Sequence, residues 1–155
     1  MSTTDVKTVE TIRRAFPPVV IDFAKAAAGG LDNGAYRDHV DGKTWESVDA
    51  SLLAKRNDAL SFLDAHQVAA VLPVYLTSLV VDGTRTGVPD TLLLVLNRKG
   101  EAKFASLFDV LSEDQRAAVV ASLDGFAARQ KGSLADAARV TSARWKEHIS
   151  KKADV

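Results

Sequence analysis

The chain has 155 residues, 46% of them hydrophobic, 26% charged and 6% aromatic, with 20 acidic and 20 basic side chains. That is the size and balance of one globular domain, able to bury roughly 70% of the surface its unfolded form exposes. It has no cysteine, which excludes disulfides, thiolate catalysis and cysteine zinc sites.

No basic region followed by an apolar one opens the chain, so no signal peptide is predicted and a cytoplasmic location is expected. Charge is unevenly spread. Residues 30–70 carry seven acids against four bases, a net of −3, and residues 129–155 carry seven bases against three acids, a net of +4. A general nucleic-acid binder carries a larger basic excess, so no nucleic acid is expected as a partner.

The apolar spacing of Val6, Val9, Ile12 and Phe16 predicts a first helix over 5–16, capped by Thr3 or Thr4 and ended by Pro17-Pro18. Residues 19–28 are expected as a second helix, ending at Gly29-Gly30. Turns are expected at 31–34 and 41–43, with a short helical turn over 35–40 between them. Trp45 and Val48 are expected in the core. Asp49 or Ser51 can cap a helix through Leu52–Ala54, and Ala59, Leu60, Phe62 and Leu63 form a further apolar stripe.

Val68 to Val81 is the most apolar run of the chain. Val68, Val71, Leu72, Tyr75, Leu76, Leu79 and Val80 repeat at helical spacing, and Ala69, Ala70 and Val74 fall on the other face. Asp64 and Gln67 stand where a capping box requires them. Pro73 removes an N–H and crowds the Ala69 carbonyl, so a kink is expected there. The competing reading is a hairpin over 74–104, turning at Asn97–Gly100. With 14 apolar-dominated residues, the run falls below the ~18–20 that span a bilayer, so no membrane association is expected.

Pro89-Asp90 starts a short helix with its body at 91–96. Phe104, Leu107, Phe108 and Leu111 make another stripe. Ser112 and Gln115 form a second capping box, with Glu113 and Asp114 set against the helix dipole. This helix is expected to run to about Gln130, with Val119, Leu123 and Phe126 facing the core. Gly132 ends it, and Ser133 caps a last helix from Leu134 to about His148, anchored by Val140, Trp145 and Ile149. Residues 151–155 are expected to fray. The expected architecture is one all-α domain over 1–150, a multi-helix bundle around a central, buried, proline-kinked helix; the alternative is α+β.

No motif for chemistry emerges. His39, His66 and His148 include no i, i+4 pair, and Asp38-His39 with Asp41 lies in a turn where Asp is expected for backbone reasons. There is no nucleophile elbow and no phosphate loop; Gly83 and Gly87 lack the lysine that follows in one. No metal, no cofactor and no catalytic residues are assigned. Paired carboxylates among Asp82, Asp90, Asp109 and Asp114 have no sequence reason to converge.

Trp45, the segment Leu72-Pro73-Val74-Tyr75-Leu76, the helix start Leu111-Ser112-Glu113-Asp114-Gln115-Arg116 and Trp145 resemble, in that order, the pattern of a family of small bacterial proteins of unknown function. That pattern has a tryptophan loop, an L-P-x-Y-L segment, an L-T-P-E-Q-R helix start and a late tryptophan. The resemblance covers roughly residues 40–147. Serine and aspartate stand here for its threonine and proline, which keeps the N-cap. It implies an all-helical domain and carries no activity.

The expected function is therefore non-catalytic protein binding, specifically an immunity protein that neutralises a secreted bacterial toxin through its acidic middle segment. Asp32, Tyr36, Arg37, Asp38 and Asp41 are the expected contact residues, because aromatics and arginine among polar neighbours are common interface anchors. An accessory or scaffolding homodimer without a toxin partner is the second reading, and an enzyme with a cryptic site the third.

Overall fold

The computed structural model describes residues 2–22, 38–56, 60–61, 63–97 and 101–153, with the side chains of 101–103 outside the description. Its elements are α-helical, in this order: α1 (Thr3–Ala15), α2 (Ala50–Lys55), α3 (Ala65–Val81), α4 (Val88–Leu96), α5 (Glu101–Val110), α6 (Glu113–Arg129) and α7 (Ser133–Ala153). The connections between them include the 3-10 turns Trp45–Ser47 and Gly83–Arg85. The all-α expectation holds; no strand occurs among the described residues, so residues 74–104 form no hairpin.

The centre of the bundle is α3. Asp64 accepts from Gln67 N–H at 2.8 Å, and the Gln67 side chain accepts from Asp64 N–H at 3.0 Å, closing the predicted capping box. The helix continues through Pro73, which is buried. It packs against α1, α2, α4, α5 and α6. Val71, Leu72, Leu76 and Leu79 have no exposed surface. Among the described residues, no helix is long and apolar enough to cross a membrane.

α6 starts as predicted, with Ser112 accepting from Gln115 N–H at 3.2 Å and Gln115 returning the bond to Ser112 N–H. Arg116 is buried on α6. Its Nε donates to the Phe108 carbonyl at 2.8 Å, and its guanidinium lies 4.4 Å from the Phe108 ring centre. The α5–α6 corner is thereby fixed by a charge-assisted bond and a cation–π contact. α7 lies along α6 and also meets α4. Trp145 is fully buried; its indole donates to the Leu96 carbonyl at 3.1 Å, and its ring meets Phe104 edge-on at 5.3 Å.

Several sequence expectations are corrected. α1 begins earlier, at Thr3, and Ser2 is its cap, in a capping box with Asp5. Its buried face is Asp5, Thr8, Val9, Ile12 and Ala15, which turns Val6 outward, 42% exposed. An apolar count misplaces this face because two polar residues belong to it.

Residues 19–22 are not helical. Ile21 donates to the Lys43 carbonyl at 2.8 Å, and Gly42 donates to the Ile21 carbonyl at 2.9 Å. The fixed φ of Pro18 and the Val19 N–H bond to the Pro17 carbonyl at 2.9 Å turn the chain away from α1 here. The remainder of the expected second helix, 23–28, lies outside the described residues. α4 begins at Val88, ahead of its predicted body. Ser133 is the first helical residue of α7 rather than its cap, and Gly132 precedes it at φ 88°. α7 continues through Ala153, past the expected end at His148, and Lys151–Ala153 remain helical. Val140 is 60% exposed and anchors nothing; Ala138, Thr141 and Trp145 face the core instead.

Candidate functional site

Of the expected contact residues, Asp32, Tyr36 and Arg37 lie outside the described residues. Asp38 is exposed in the helical turn at 38–40, and Asp41 is half-buried in the turn that follows. Gly42 completes that turn at φ 74°, a left-handed conformation that glycine adopts without Cβ strain. Its amide then reaches Ile21 O, so the acidic turn is tied to the segment after α1. Residues 38–49 hold Asp38, Asp41, Glu46 and Asp49 against Lys43, a net of −3.

Two open clefts adjoin this segment. The first, about 320 Å³, lies between residues 16–22, the N-terminal half of α3 and Trp45, and is closed by Val110 and Gln115. Val19 and Val20 form its lip, 69% and 61% exposed. Among the described residues, Asp22 is the acid in its lining, with no lysine or arginine. The second, about 370 Å³, lies between α1, residues 45–50 and the C-terminal half of α3. Val9, Val48, Val74 and Val81 give it apolar walls, and Arg13, Glu46 and Asp82 supply its charges.

A single stripe of α3 lines both. His66, Ala69, Ala70 and Pro73 face the first cleft, and Val74, Thr77, Ser78 and Val81 face the second. These positions recur every three and four residues, the spacing of one helix face. Small side chains explain the open space: where large residues fill the opposite face of α3, alanine, serine and threonine leave this one unfilled.

Trp45 borders both clefts and separates them. Its indole N–H donates to the Phe16 carbonyl at 2.6 Å, satisfying a polar atom of a side chain only 8% exposed. The Thr44 and Ser47 hydroxyls, 3.0 Å apart, close the turn that carries it. The divider is fixed on both sides.

The hydroxyls in the second cleft serve the helix. Thr77 Oγ1 donates to the Pro73 carbonyl at 2.7 Å, and Ser78 Oγ donates to Asp82 Oδ2 at 3.1 Å. The Ser78–Asp82 pair joins residues four apart and lacks the histidine that takes a serine proton in nucleophilic catalysis. At the edge of this cleft, the Asp49 carboxyl is held below its ordinary value. The Ser51 hydroxyl contributes most, followed by the backbone N–H of Leu52. Asp49 Oδ1 accepts from Ser51 Oγ at 2.8 Å and caps α2.

The histidines do not converge. His66 is exposed at the first cleft, His39 is half-buried, and His148 packs tilted against Phe104, with ring centres 5.0 Å apart. Among the described residues no group of three or more His, Asp or Glu could hold a metal ion. The exposed valine pair was hidden from sequence reasoning by its assignment to a helix; the proline pair before it was the available signal. No protein-family model matches the chain, and no curated protein or solved structure resembles it significantly.

Proposed function

We propose that this chain is a protein-binding domain that acts without catalysis, and that its working surface is the Val19–Val20 lip with the cleft behind it. The observation that carries this is the exposure of two adjacent β-branched residues on a pinned backbone. Pro17-Pro18 restrict the segment from one side and the Ile21–Lys43 and Gly42–Ile21 hydrogen bonds from the other. Apolar groups held outward in this way lose little conformational freedom on association, which favours binding. The acidic turn beside them favours a basic partner.

Within this class, the specific role proposed is immunity: the domain covers the basic active surface of a toxin in the cytoplasm. Co-expression with the product of the adjacent gene is the test. The expected result is rescue of growth and co-purification, both lost on Val20→Asp with the thermal midpoint unchanged. If the neighbour is not toxic, or Val20→Asp protects as well as wild type, the role is rejected.

An accessory homodimer is the second reading, favoured by Leu94 and Val140. They are 61% and 60% exposed and lie on α4 and α7, which pack together. Light scattering during size exclusion discriminates the readings, since a dimer through this face dissociates on Leu94→Asp.

A further inference from the structure

We infer that the partner engages both clefts at once, through one basic amphipathic segment that places an apolar side chain on each side of Trp45. The inference rests on the protein-binding reading above and specifies its ligand. Three observations lead to it.

The first is continuity. The α3 stripe from His66 to Val81 spans fifteen helical steps, about 22 Å at 1.5 Å per residue. The centres of its two halves are eight steps apart, about 12 Å. Trp45 stands between them, fixed to Phe16, so the surface offers two seats with a rigid divider. An extended chain covers about 13 Å in four residues and returns its side chains to the same face. Anchors at i and i+4 of an extended segment therefore match the spacing.

The second is the lining. Val9, Val48 and Val81 on one side, and Val20, Ala69 and Ala70 on the other, offer apolar surface to an aliphatic anchor. The third is charge. Among the described residues the two linings hold Asp22, Glu46 and Asp82 against Arg13, with Arg85 paired to Asp82 at 3.7 Å. Residues 38–49 add Asp38, Asp41 and Asp49 nearby, against Lys43. Neither Arg13 nor Glu46 is ion-paired among the described residues. Lysines flanking the anchors would meet the acidic segment 38–49, whose net charge is −3.

The test uses the full chain, labelled with nitrogen-15, and three synthetic peptides of about seven residues, enough to span the stripe in extended form. One is polylysine with leucine at its second and sixth positions. One keeps a single leucine, and one replaces every lysine with glutamate. The two-leucine lysine peptide is expected to bind at least about tenfold more tightly than the single-leucine peptide, the scale of one leucine burial. It should shift the amides of Val9 and Val81 together with those of Ala69 and Ile21. Thr77→Phe and Ala70→Leu, which fill one cleft each, should each remove the advantage of the second leucine. Both positions are only partly buried, and unchanged melting curves will show that each variant is folded.

Equal binding of the one- and two-leucine peptides, shifts confined to one cleft, or equal binding of the glutamate peptide would each overturn the inference. Its failure is separable from that of the protein-binding reading. A protein partner lost on Val20→Asp but indifferent to Thr77→Phe removes the two-cleft ligand and keeps the reading. Absence of any Val20-dependent partner removes the reading itself.

Discussion

The Asp5 carboxylate, 2% exposed, accepts a hydrogen bond at 2.9 Å from the guanidinium of Arg129, 124 residues later in the chain. The other terminal nitrogen of Arg129 donates to the Val80 carbonyl. One guanidinium thus joins three helix ends. Asp5 stands in the first turn of α1 and Arg129 in the last turn of α6, each on the side its helix dipole favours. The Val80 carbonyl is among the last four of α3, which lack an intrahelical partner.

Loss of this carboxylate removes both the Ser2 capping box and the ion pair. Asp5→Ala should therefore cost about 2–4 kcal/mol, from a cap of about 1 kcal/mol and a buried charge pair broken from one side. Arg129→Met keeps the cap but leaves the Asp5 carboxylate, 2% exposed, without its counter-charge, and should cost about as much. Urea denaturation of both variants and the double variant measures the coupling, and additive losses would show that the pair contributes nothing.

The same carboxylate sets an acid limit. Burial raises the Asp5 pKa, but the backbone and hydroxyl of Ser2 and the charge of Arg129 outweigh it and hold the group below 3.8. Stability from a lowered carboxylate pKa is fully present above the unfolded value and is lost as pH falls through the folded one. Asp49 shifts in the same direction. The urea midpoint should accordingly fall as pH drops below about 3.8, the ordinary aspartate value. Asp5→Asn should start lower at neutral pH and decline less steeply. Parallel curves for the two proteins would refute this assignment.

Residues whose signals are local were legible in the sequence, and residues defined by distant partners were not. Both capping boxes of the core, Asp64 with Gln67 and Ser112 with Gln115, are four-residue patterns. Trp45 and Trp145 were placed inside by size and Tyr75 by its position in the α3 repeat, although their acceptors, Phe16, Leu53 and Leu96, were unknowable. Asp5 and Arg116 read as surface charges because Arg129 and the Phe108 carbonyl reach them only after folding. The clefts escaped for a related reason. Ala69, Ala70, Thr77 and Ser78 identify a second helix face, but whether anything fills the space over it depends on where Trp45 comes to rest.

Gly83 offers a backbone test at the same helix end. It sits at φ 58°, and a Cβ added there would lie 2.9 Å from Gln130 Nε2. The Gln130 side chain can move, so the lasting cost is the left-handed backbone. Gly83→Ala should lose about 1 kcal/mol, and Gly83→Asn less, since asparagine tolerates this region. Gly83→Val should lose more than either, because branching at Cβ worsens the same clash. Thermal denaturation of the three variants gives the order. Equal losses would mean that the contact with Gln130, rather than φ, sets the cost.

Trp45 decides whether the small-residue face of α3 is one surface or two. Its side chain lines both clefts, and its indole holds the Phe16 carbonyl at the point where α1 ends. Trp45→Phe keeps most of the ring and leaves that carbonyl without its donor, a loss of about 1–2 kcal/mol. Trp45→Ala removes the divider as well and should lose about 3–5 kcal/mol. The two variants separate support from recognition. If the divider sets the spacing of two anchors, Trp45→Phe retains the preference for the two-leucine peptide and Trp45→Ala loses it even under conditions where the variant is fully folded. A preference that survives in Trp45→Ala would make Trp45 a support for α1 alone, and the spacing of the anchors would then follow from the α3 stripe without it.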